Sequence, residues 1–499
     1  MGLAVDRCDF KPEEYELFAE KVRCNLKAFK YLLEQPGFGV GAPSFGAELE
    51  VYILDKNSKP ARLNQEIIDG ITDPQIKAQI QLELNRFNLE YNLSPVPAKG
   101  APLSAMKADL GNALKELSRT ADSFNASILP IGILPTLTMN DLNSLAMSDY
   151  PRYRALAQGL TKHQTDPFQI SIDGSEPLIF SCNTITLEGA NTSFQFHWRV
   201  NPDNFANAYN AIQMLTPLAL ALGVNSPTLL GHELWDETRI TLFKQSIDNR
   251  KPNNLSWKHP ARVDFGFGWL RSSAYELFEQ NVRLYPPILP VIGNEDPMQT
   301  VKSGGIPKLE ELRLHHGTVW PWNRAVYDSN DGGHLRIEMR STPAGPTIDD
   351  MLAANAFLVG LSQVFQSRME NLMSALPFRY AENNFYRAAQ KGLDAKLVWP
   401  STRQTQLVEK PVQSIIAEVL PLAEQGLGEL GVDQQEIDLI ISNIGARLAS
   451  GMTGALWQRR MLRKLKQGND IEQSLKGLVE NYTREYQNHN SISEWSEKV

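Results

Sequence analysis

The 499-residue sequence lacks several features that mark whole classes of protein. Its three cysteines, Cys8, Cys24 and Cys182, are too few and too scattered for a disulfide framework or a zinc knuckle, which favours a cytoplasmic location. No basic run offsets the net charge of -8, so neither nucleic acid nor a membrane surface is an expected partner. The most apolar stretch, residues 215–224, is far shorter than the roughly 20 residues that a membrane span needs.

The common nucleotide and hydrolase motifs are also missing, because the chain has no Walker A sequence, no nucleophile elbow and no HExxH. Two glycine-rich fragments, at 37–42 and 426–431, resemble dinucleotide fingerprints but stand in the wrong context. The first precedes a predicted strand and the second lies between two predicted helices, so turns or helix caps are the better interpretation. The chemistry must therefore come from other residues.

The predicted secondary structure changes character along the chain. Helical spacing covers 12–34, 104–126 and much of 74–91, with a strand at 87–92. Short alternating runs predict strands between 128 and 200, and a proline-rich loop with further strands is expected over 266–340. Helices dominate after about Thr347. We therefore predict an α+β catalytic body over 1–347 and a helical C-terminal section over 348–499 that packs on the same body.

Four predicted strands combine an apolar face with an unusual polar face. In residues 47–53, Glu48 and Glu50 share one face and aliphatic side chains occupy the other. The other polar rows are Arg86, Asn88, Glu90 and Asn92; Ser193, Gln195, His197 and Arg199; and His334, Arg336, Glu338 and Arg340. Any single row is explained by a half-buried strand whose polar face is exposed to solvent. Together the four rows differ from ordinary solvent-exposed strand faces, because they contain only one serine and no lysine.

If these strands share a sheet, four carboxylates approach one another and raise one another's pKa values unless cations compensate. They are Glu48, Glu50, Glu90 and Glu338. Mg²⁺ or Mn²⁺, with His197 and Gln195 completing the ligand shell, is the natural compensation. Arg336 and Arg340 add forked donors that suit phosphate. The combination predicts a phosphoryl-transfer site without a P-loop.

These motifs resemble those of the glutamine synthetase fold superfamily, and within it the glutamate-cysteine ligase type 2 family, particularly its bacterial carboxylate-amine ligase branch. Further motifs carry the resemblance in the same order along the chain: Arg152-Tyr153-Arg154, Thr192–His197, Asn225-Ser226-Pro227 with Gly231 and Arg239, and residues 320–324, 384–394 and 453–459. One residue departs from the branch, because Gln195 stands where the branch usually has a histidine.

The resemblance implies a curved antiparallel sheet that forms a funnel, with helices packed behind it, and ATP held by Mg²⁺ or Mn²⁺. The implied metal ligands are Glu48, Glu50, Glu90, His197 and Glu338. The implied catalytic residues are Arg336, Glu338 and Arg340, and the implied ATP-binding residues are Gln195, Arg336 and Arg340. The residues expected to bind substrate are Arg239, Arg324 and Arg387.

The implied reaction activates the γ-carboxylate of glutamate as an acyl phosphate, which an amine then attacks to give an amide, ADP and phosphate. Cysteine is the family's usual amine, which would place the enzyme in glutathione biosynthesis. Two alternatives stay open: a ligase or kinase of the same fold with another acceptor, and a catalytically silent relative that binds a nucleotide or an amino acid. The identity of the amine and the formation of a homo-oligomer are also open.

Overall fold

The computed structural model describes residues 5–161, 166–250, 260–400 and 406–498. Within them the strands are β1 (Ser44–Asp55), β2 (Ile80–Leu82), β3 (Asn88–Asn92), β4 (Val96–Pro97), β5 (Ala126–Leu129), β6 (Phe168–Ile172), β7 (Leu178–Cys182), β8 (Phe194–Val200), β9 (Thr228–Leu229), β10 (His232–Glu233), β11 (Asn323–Asp328), β12 (His334–Met339), β13 (Lys396–Trp399) and β14 (Val408–Pro411).

The α-helices of the described residues are α1 (Pro12–Leu33), α2 (Asn64–Gly70), α3 (Pro74–Gln79), α4 (Pro102–Asp122), α5 (Pro151–Thr161), α6 (Phe205–Gly223), α7 (Thr238–Ser246), α8 (Tyr275–Leu284), α9 (Pro297–Lys302), α10 (Glu310–His316), α11 (Ile348–Phe365), α12 (Met369–Ala375), α13 (Phe378–Lys391), α14 (Val412–Glu429), α15 (Gln434–Ser450), α16 (Gly454–Leu465) and α17 (Ile471–Asn488).

One curved antiparallel sheet of eight strands organises the molecule, which confirms the predicted fold class. Its strands run in the order β11-β12-β8-β1-β3-β2, and β4 and β5 also pair with β1. In the long strand β1, the alternation of apolar and polar residues matches the alternation of buried and partly exposed side chains. Leu49, Val51 and Ile53 are buried, whereas Glu48 and Glu50 stay partly exposed on the other face. Period 2 therefore directs one face to the core and the other to the funnel.

Two helices that are apolar on all sides form the core behind the sheet. Almost every residue of α6 and α11 is buried, as expected for helices with no solvent-facing side. The segment Ile348–Ala375 is long and apolar enough to cross a membrane by length and composition, but 83% of its apolar window is buried inside the protein. Such burial is typical of a core helix.

The C-terminal helices pack tightly on this core. Helix α14 approaches α11 so closely that a Cβ atom on Gly426 would lie 1.8 Å from the Gly360 carbonyl oxygen. Gly426 therefore serves helix packing rather than a turn, whereas Gly431, with a φ of +84°, lies just past the end of α14. One apolar cluster includes Leu218 of α6 as well as Leu361 of α11. The division of the chain at residue 347 stays a prediction.

Three parts of the secondary structure differ from the sequence expectation. Residues 74–91 form the short helix α3 and the strand β2 before β3 begins, because each apolar run is too short for a longer helix. The segment 266–340 contains α8, α9 and α10 as well as strands. The hairpin of β13 and β14 interrupts the helical section, and its antiparallel pairing could not be seen in either short strand alone.

Candidate functional site

The pairing of the central strands brings their polar faces together. Strand β1 places Glu50 opposite Glu90 of β3. Strand β8 places His197 opposite Glu338 of β12, and Glu48 of β1 lies opposite Gln195 of the same β8 strand. The predicted rows therefore belong to adjacent strands, and their acidic side chains lie on one concave face.

A cavity of about 700 Å³ opens over this face. Six of the residues predicted from the sequence line it: Glu48, Glu50, Glu90, Gln195, Arg324 and Arg340. His197 and Glu338 are more deeply buried and lie directly behind Glu48, at 7% and 0% exposure. The cavity is thus the open end of the predicted funnel.

The first carboxylate cluster consists of Glu48, His197 and Glu338, whose ligand atoms lie within 4.8 Å of one another. Nε2 of His197 lies 3.2 Å from a Glu48 oxygen. Burial raises the pKa of Glu48, but His197 and Arg340 together outweigh this effect and the pKa is lowered. Burial is likewise overcome at Glu338, where Arg324 and Arg340 lower the pKa. The carboxylates of this cluster are therefore charged.

The second cluster consists of Glu50, Glu83 and Glu90, also within 4.8 Å of one another. Burial is the main cause of the raised pKa of each of them, and it brings the pKa of Glu90 to about 8. Amide donors support two of the carboxylates: the Ser193 backbone N–H donates to Glu50 at 2.6 Å, and Asn92 donates to Glu90 at 2.9 Å. Among the described residues, none of the three carboxylates forms an ion pair with a basic side chain.

Two arginines hold the first cluster in place. Arg324 donates from Nε and Nη2 to the two oxygens of Glu338, at 2.6 and 2.9 Å. Arg340 donates from Nη1 to Glu338 and to the side-chain oxygen of Gln195. Gln195 in turn donates to Glu50 at 2.8 Å. Arg340 and Gln195 therefore connect the two carboxylate clusters.

The remaining predicted arginines lie outside the cavity lining. Arg336 donates to Nδ1 of His197 at 3.1 Å and pairs with Asp328 at 2.9 Å. Arg239 is buried, pairs with Glu237 and donates to the Ser341 carbonyl, so it supports the backbone that follows β12. Arg387 is exposed on α13 and pairs with Glu409. The structure does not bring Arg239 or Arg387 to the cavity, and their substrate-binding roles stay predictions.

Sequence reasoning missed Glu83, which completes the second cluster. The residue follows β2, where Ile80, Leu82 and Leu84 alternate with Gln81 and Glu83. This alternation is the signal that could have found it, but the segment was predicted to be mainly helical. Two further cavity residues, Arg152 and Glu188, were not among the predicted site residues.

The second cluster predicts an unusual dependence of stability on pH. The pKa of Glu90 is about 8 in the folded protein and 4.5 as its ordinary value, so the folded state binds more protons between these values. The free energy of unfolding of the metal-free protein should therefore fall as the pH rises from about 5 to about 8. Added Mg²⁺ should raise the melting temperature more at pH 8 than at pH 6, because ligand oxygens must be deprotonated.

Thermal melts of the wild type and of Glu90→Gln, with and without Mg²⁺, check this expectation. The variant should show a flatter pH slope and a smaller Mg²⁺ effect. Glu409→Gln, a change in an exposed surface pair, is the matched control and should behave as the wild type. Identical slopes in Glu90→Gln and the wild type would contradict the proposed titration.

One protein-family model covers most of the chain. The family model described as glutamate-cysteine ligase family 2 (GCS2) matches residues 44–481, which include every element of the cavity floor. No curated protein matches the sequence.

One solved structure shows a similar fold at low identity, and two others are less similar. Glutamate–cysteine ligase from Francisella tularensis, in complex with AMP, has a TM-score of 0.52 and 11% identity, over 91% of this chain and 90% of that one. A bifunctional glutathione synthetase from Pasteurella multocida has a TM-score of 0.48 and 13% identity, over 93% of this chain and 54% of that one. The prokaryotic ubiquitin-like protein Pup in complex with its ligase PafA gives a TM-score of 0.39 and 10% identity, over 89% and 72%.

Proposed function

The chain belongs to glutamate-cysteine ligase family 2, and from that premise we propose that it activates the γ-carboxylate of glutamate with ATP for attack by an amine. Family membership makes it an ATP-dependent ligase that forms carbon–nitrogen bonds. The observation that supports the finer proposal is the pair of carboxylate clusters beside Arg324 and Arg340 in one cavity. Such a site suits the transfer of a highly charged phosphoryl group.

The residues of both clusters fit hard divalent cations. Carboxylate oxygens dominate the donor set, which favours Mg²⁺ or Mn²⁺ over zinc. In the first cluster the ligands would be Glu48, His197 and Glu338, with Nε2 of His197 as the nitrogen donor. In the second they are Glu50, Glu83 and Glu90. Bound Mg²⁺ would neutralise the charge of the phosphate oxygens and of the crowded carboxylates.

Ligation through Nε2 has a consequence for Arg336. A ligating imidazole carries its proton on the other ring nitrogen, here Nδ1. Arg336 donates to that nitrogen, so a cation held by Nε2 would require this hydrogen bond to be given up. The ion pair with Asp328 would still hold the guanidinium of Arg336.

Arg340 makes the main electrostatic contribution to the proposed reaction. A glutamate γ-carboxylate oxygen bonds to the γ-phosphorus of ATP, and the bond to the bridging oxygen breaks with its electrons leaving on ADP. The fixed guanidinium of Arg340 stabilises the charge on the transferring group. The amine nitrogen then attacks the acyl carbon, and phosphate leaves with the electron pair of the broken bond while the nitrogen loses a proton.

The proposal includes the two substrates and the cellular compartment. Glutamate is the donor and cysteine the first acceptor to test, because the family's name couples them. Glutathione biosynthesis in the cytoplasm is the corresponding setting, and three scattered cysteines suit a reducing compartment.

Release of ADP tests the proposal directly. The full-length protein is incubated with ATP, Mg²⁺, glutamate and a panel of amines, and each component is omitted in turn. We expect ADP only when Mg²⁺, a carboxylate donor and an amine are all present. Tight ATP binding with no turnover for any donor or acceptor would overturn the proposal in favour of a silent relative.

A further inference from the structure

One arginine of the concave face has no partner for its charge. Arg199 follows Gln195 and His197 on the same face of β8, because the side chains of a strand alternate between its two faces. The Nε atom of Arg199 is buried without a hydrogen-bond partner, and among the described residues its guanidinium forms no ion pair. A half-buried guanidinium that no residue compensates indicates an anion supplied from outside the chain.

The strand pairing adds a second positive charge beside the first. Arg199 lies directly opposite Arg336 of β12, and like charges in such cross-strand positions repel. Asp328 of β11 pairs with Arg336 through one oxygen, at 2.9 Å, and its other oxygen accepts from the backbone N–H of Asn330 at 3.0 Å. Both oxygens of Asp328 are therefore engaged by other donors. The two arginines and this one carboxylate leave a net positive charge at this end of the face.

The glycine-rich stretch before β1 leaves room for this guanidinium. A Cβ atom on Gly41 would lie 2.5 Å from Nη2 and 3.0 Å from Cζ of Arg199. Gly37 and Gly39 of the same stretch have φ values of +78° and +68°, which are typical of turns. Gly41 instead serves a close approach, because any larger residue would displace the guanidinium. The backbone thus fixes the position of Arg199.

The order of residues along β8 indicates which anion reaches Arg199. Gln195 accepts a hydrogen bond from Arg340, which lies beside the transferring γ-phosphoryl group in the proposed reaction. His197 comes next on this face and belongs to the first cluster. Arg199 lies two residues further, about 7 Å beyond His197 at roughly 3.4 Å per residue. A triphosphate that begins beside Arg340 and passes the first cluster therefore brings its α-phosphate towards Arg199.

We propose, on the basis of the proposed ligase function, that Arg199 binds the α-phosphate of ATP through its forked donors. The α-phosphate does not react, so Arg199 holds the nucleotide in place and takes no part in phosphoryl transfer. Its removal should raise the KM of ATP and leave kcat nearly unchanged, because binding is lost equally from the ground state and the transition state. The opposite pattern is expected for Arg340.

Binding of a series of adenine compounds tests the proposal without turnover. Adenosine, AMP, ADP and ATP are titrated calorimetrically into the full-length wild type and into Arg199→Gln, with Mg²⁺ and without any amino acid. We expect the variant to bind AMP, ADP and ATP each about 10- to 100-fold more weakly and to bind adenosine unchanged. Arg460→Gln removes a guanidinium from a surface pair with Glu497 and is the matched control, which should bind all four as the wild type does.

The pattern of losses identifies the group that Arg199 contacts. Weaker binding of ADP and ATP with unchanged binding of AMP would place the contact at the β-phosphate, and the assignment to the α-phosphate would be wrong. Inorganic phosphate is titrated separately. If Arg199→Gln weakens its binding and leaves all three nucleotides unaffected, the residue binds the released product and the proposal is overturned.

Gly41→Ala tests the geometry while the charge is retained. The displaced guanidinium should bind AMP more weakly, and the double variant with Arg199→Gln should lose little more than Arg199→Gln alone. Gly445→Ala in α15 is the control, because an added Cβ atom there meets no atom within 4 Å. Thermal melts establish that each variant is folded. Losses that simply add in the double variant would contradict the placement of Arg199 against Gly41.

Binding of AMP also separates this inference from the ligase proposal. If AMP binding depends on Arg199 and no donor or acceptor yields ADP, the α-phosphate contact is supported and the ligase function fails. If the wild type releases ADP and Arg199→Gln binds AMP with wild-type affinity, the ligase function is supported and the α-phosphate contact is overturned.

Discussion

Replacing Glu338 with glutamine is expected to lower turnover by about 10³-fold, because a bound metal ion contributes several kcal/mol and each 1.36 kcal/mol is a factor of ten. Glu338 is fully buried, lies in the first cluster and accepts hydrogen bonds from Arg324 and Arg340. Glutamine has nearly the same shape but removes the charge that would bind the cation. Both arginines would then lose their anionic partner beside the phosphate-binding space.

The measurement is ADP release under saturating substrates, together with Mg²⁺ titration and a thermal melt of each variant. The apparent Mg²⁺ affinity should fall along with kcat. Folding must be checked, since removing one partner of a buried pair is destabilising. Glu497→Gln removes the carboxylate of another arginine pair, with Arg460 on the surface, and should leave turnover unchanged. Turnover of Glu338→Gln within tenfold of the wild type would refute the assignment of Glu338 as a metal ligand.

Alternation predicted the polar faces well for a physical reason. A strand has a period of two, so Glu48 and Glu50 had to share a face wherever the strand lay. The composition of the rows then indicated that the polar faces meet. A solvent-exposed strand face usually carries Thr, Ser, Lys and Gln, whereas these rows carry Glu, Asn, His and Arg. The structure confirms the meeting, with Glu50 opposite Glu90 and His197 opposite Glu338.

Register and strand order could not be predicted from the rows. Pairing depends on contacts between segments more than a hundred residues apart, such as β1 with β8. Glu83 was missed because β2 has only three residues, too few to distinguish a strand from the end of a helix. The alternation around it becomes informative only once β3 is known to lie beside it.

Arginines were the least predictable part of the site. Their long side chains reach several environments from one backbone position, and no periodicity reports which one is used. Arg324 lines the cavity and forms an ion pair with Glu338, whereas Arg387 lies on the surface and pairs with Glu409. Arg239 is buried beside Glu237. Arg152, in contrast, belongs to a sequence motif, and only the structure shows that it lines the cavity.

Replacing Arg340 should produce the largest catalytic loss of any single change. Arg340→Ala is expected to lower kcat by about 10³- to 10⁵-fold, the range measured for arginines that stabilise a transferring phosphoryl group. Arg340 lines the cavity and bonds to Gln195 and Glu338, so it reaches both clusters at once. Arg340→Lys keeps the charge but loses the forked donors, and should recover only part of the loss.

Single-turnover formation of ADP, measured beside the KM of ATP, distinguishes catalysis from binding. If Arg340 acts mainly on the transition state, kcat falls steeply while the KM of ATP changes little. Arg460→Lys, in a surface pair with Glu497, is the matched control for the loss of a forked guanidinium and should be neutral. A fully active Arg340→Lys would show that a point charge suffices. An Arg340→Ala variant that loses less than tenfold would mean that the two clusters alone carry the phosphoryl transfer.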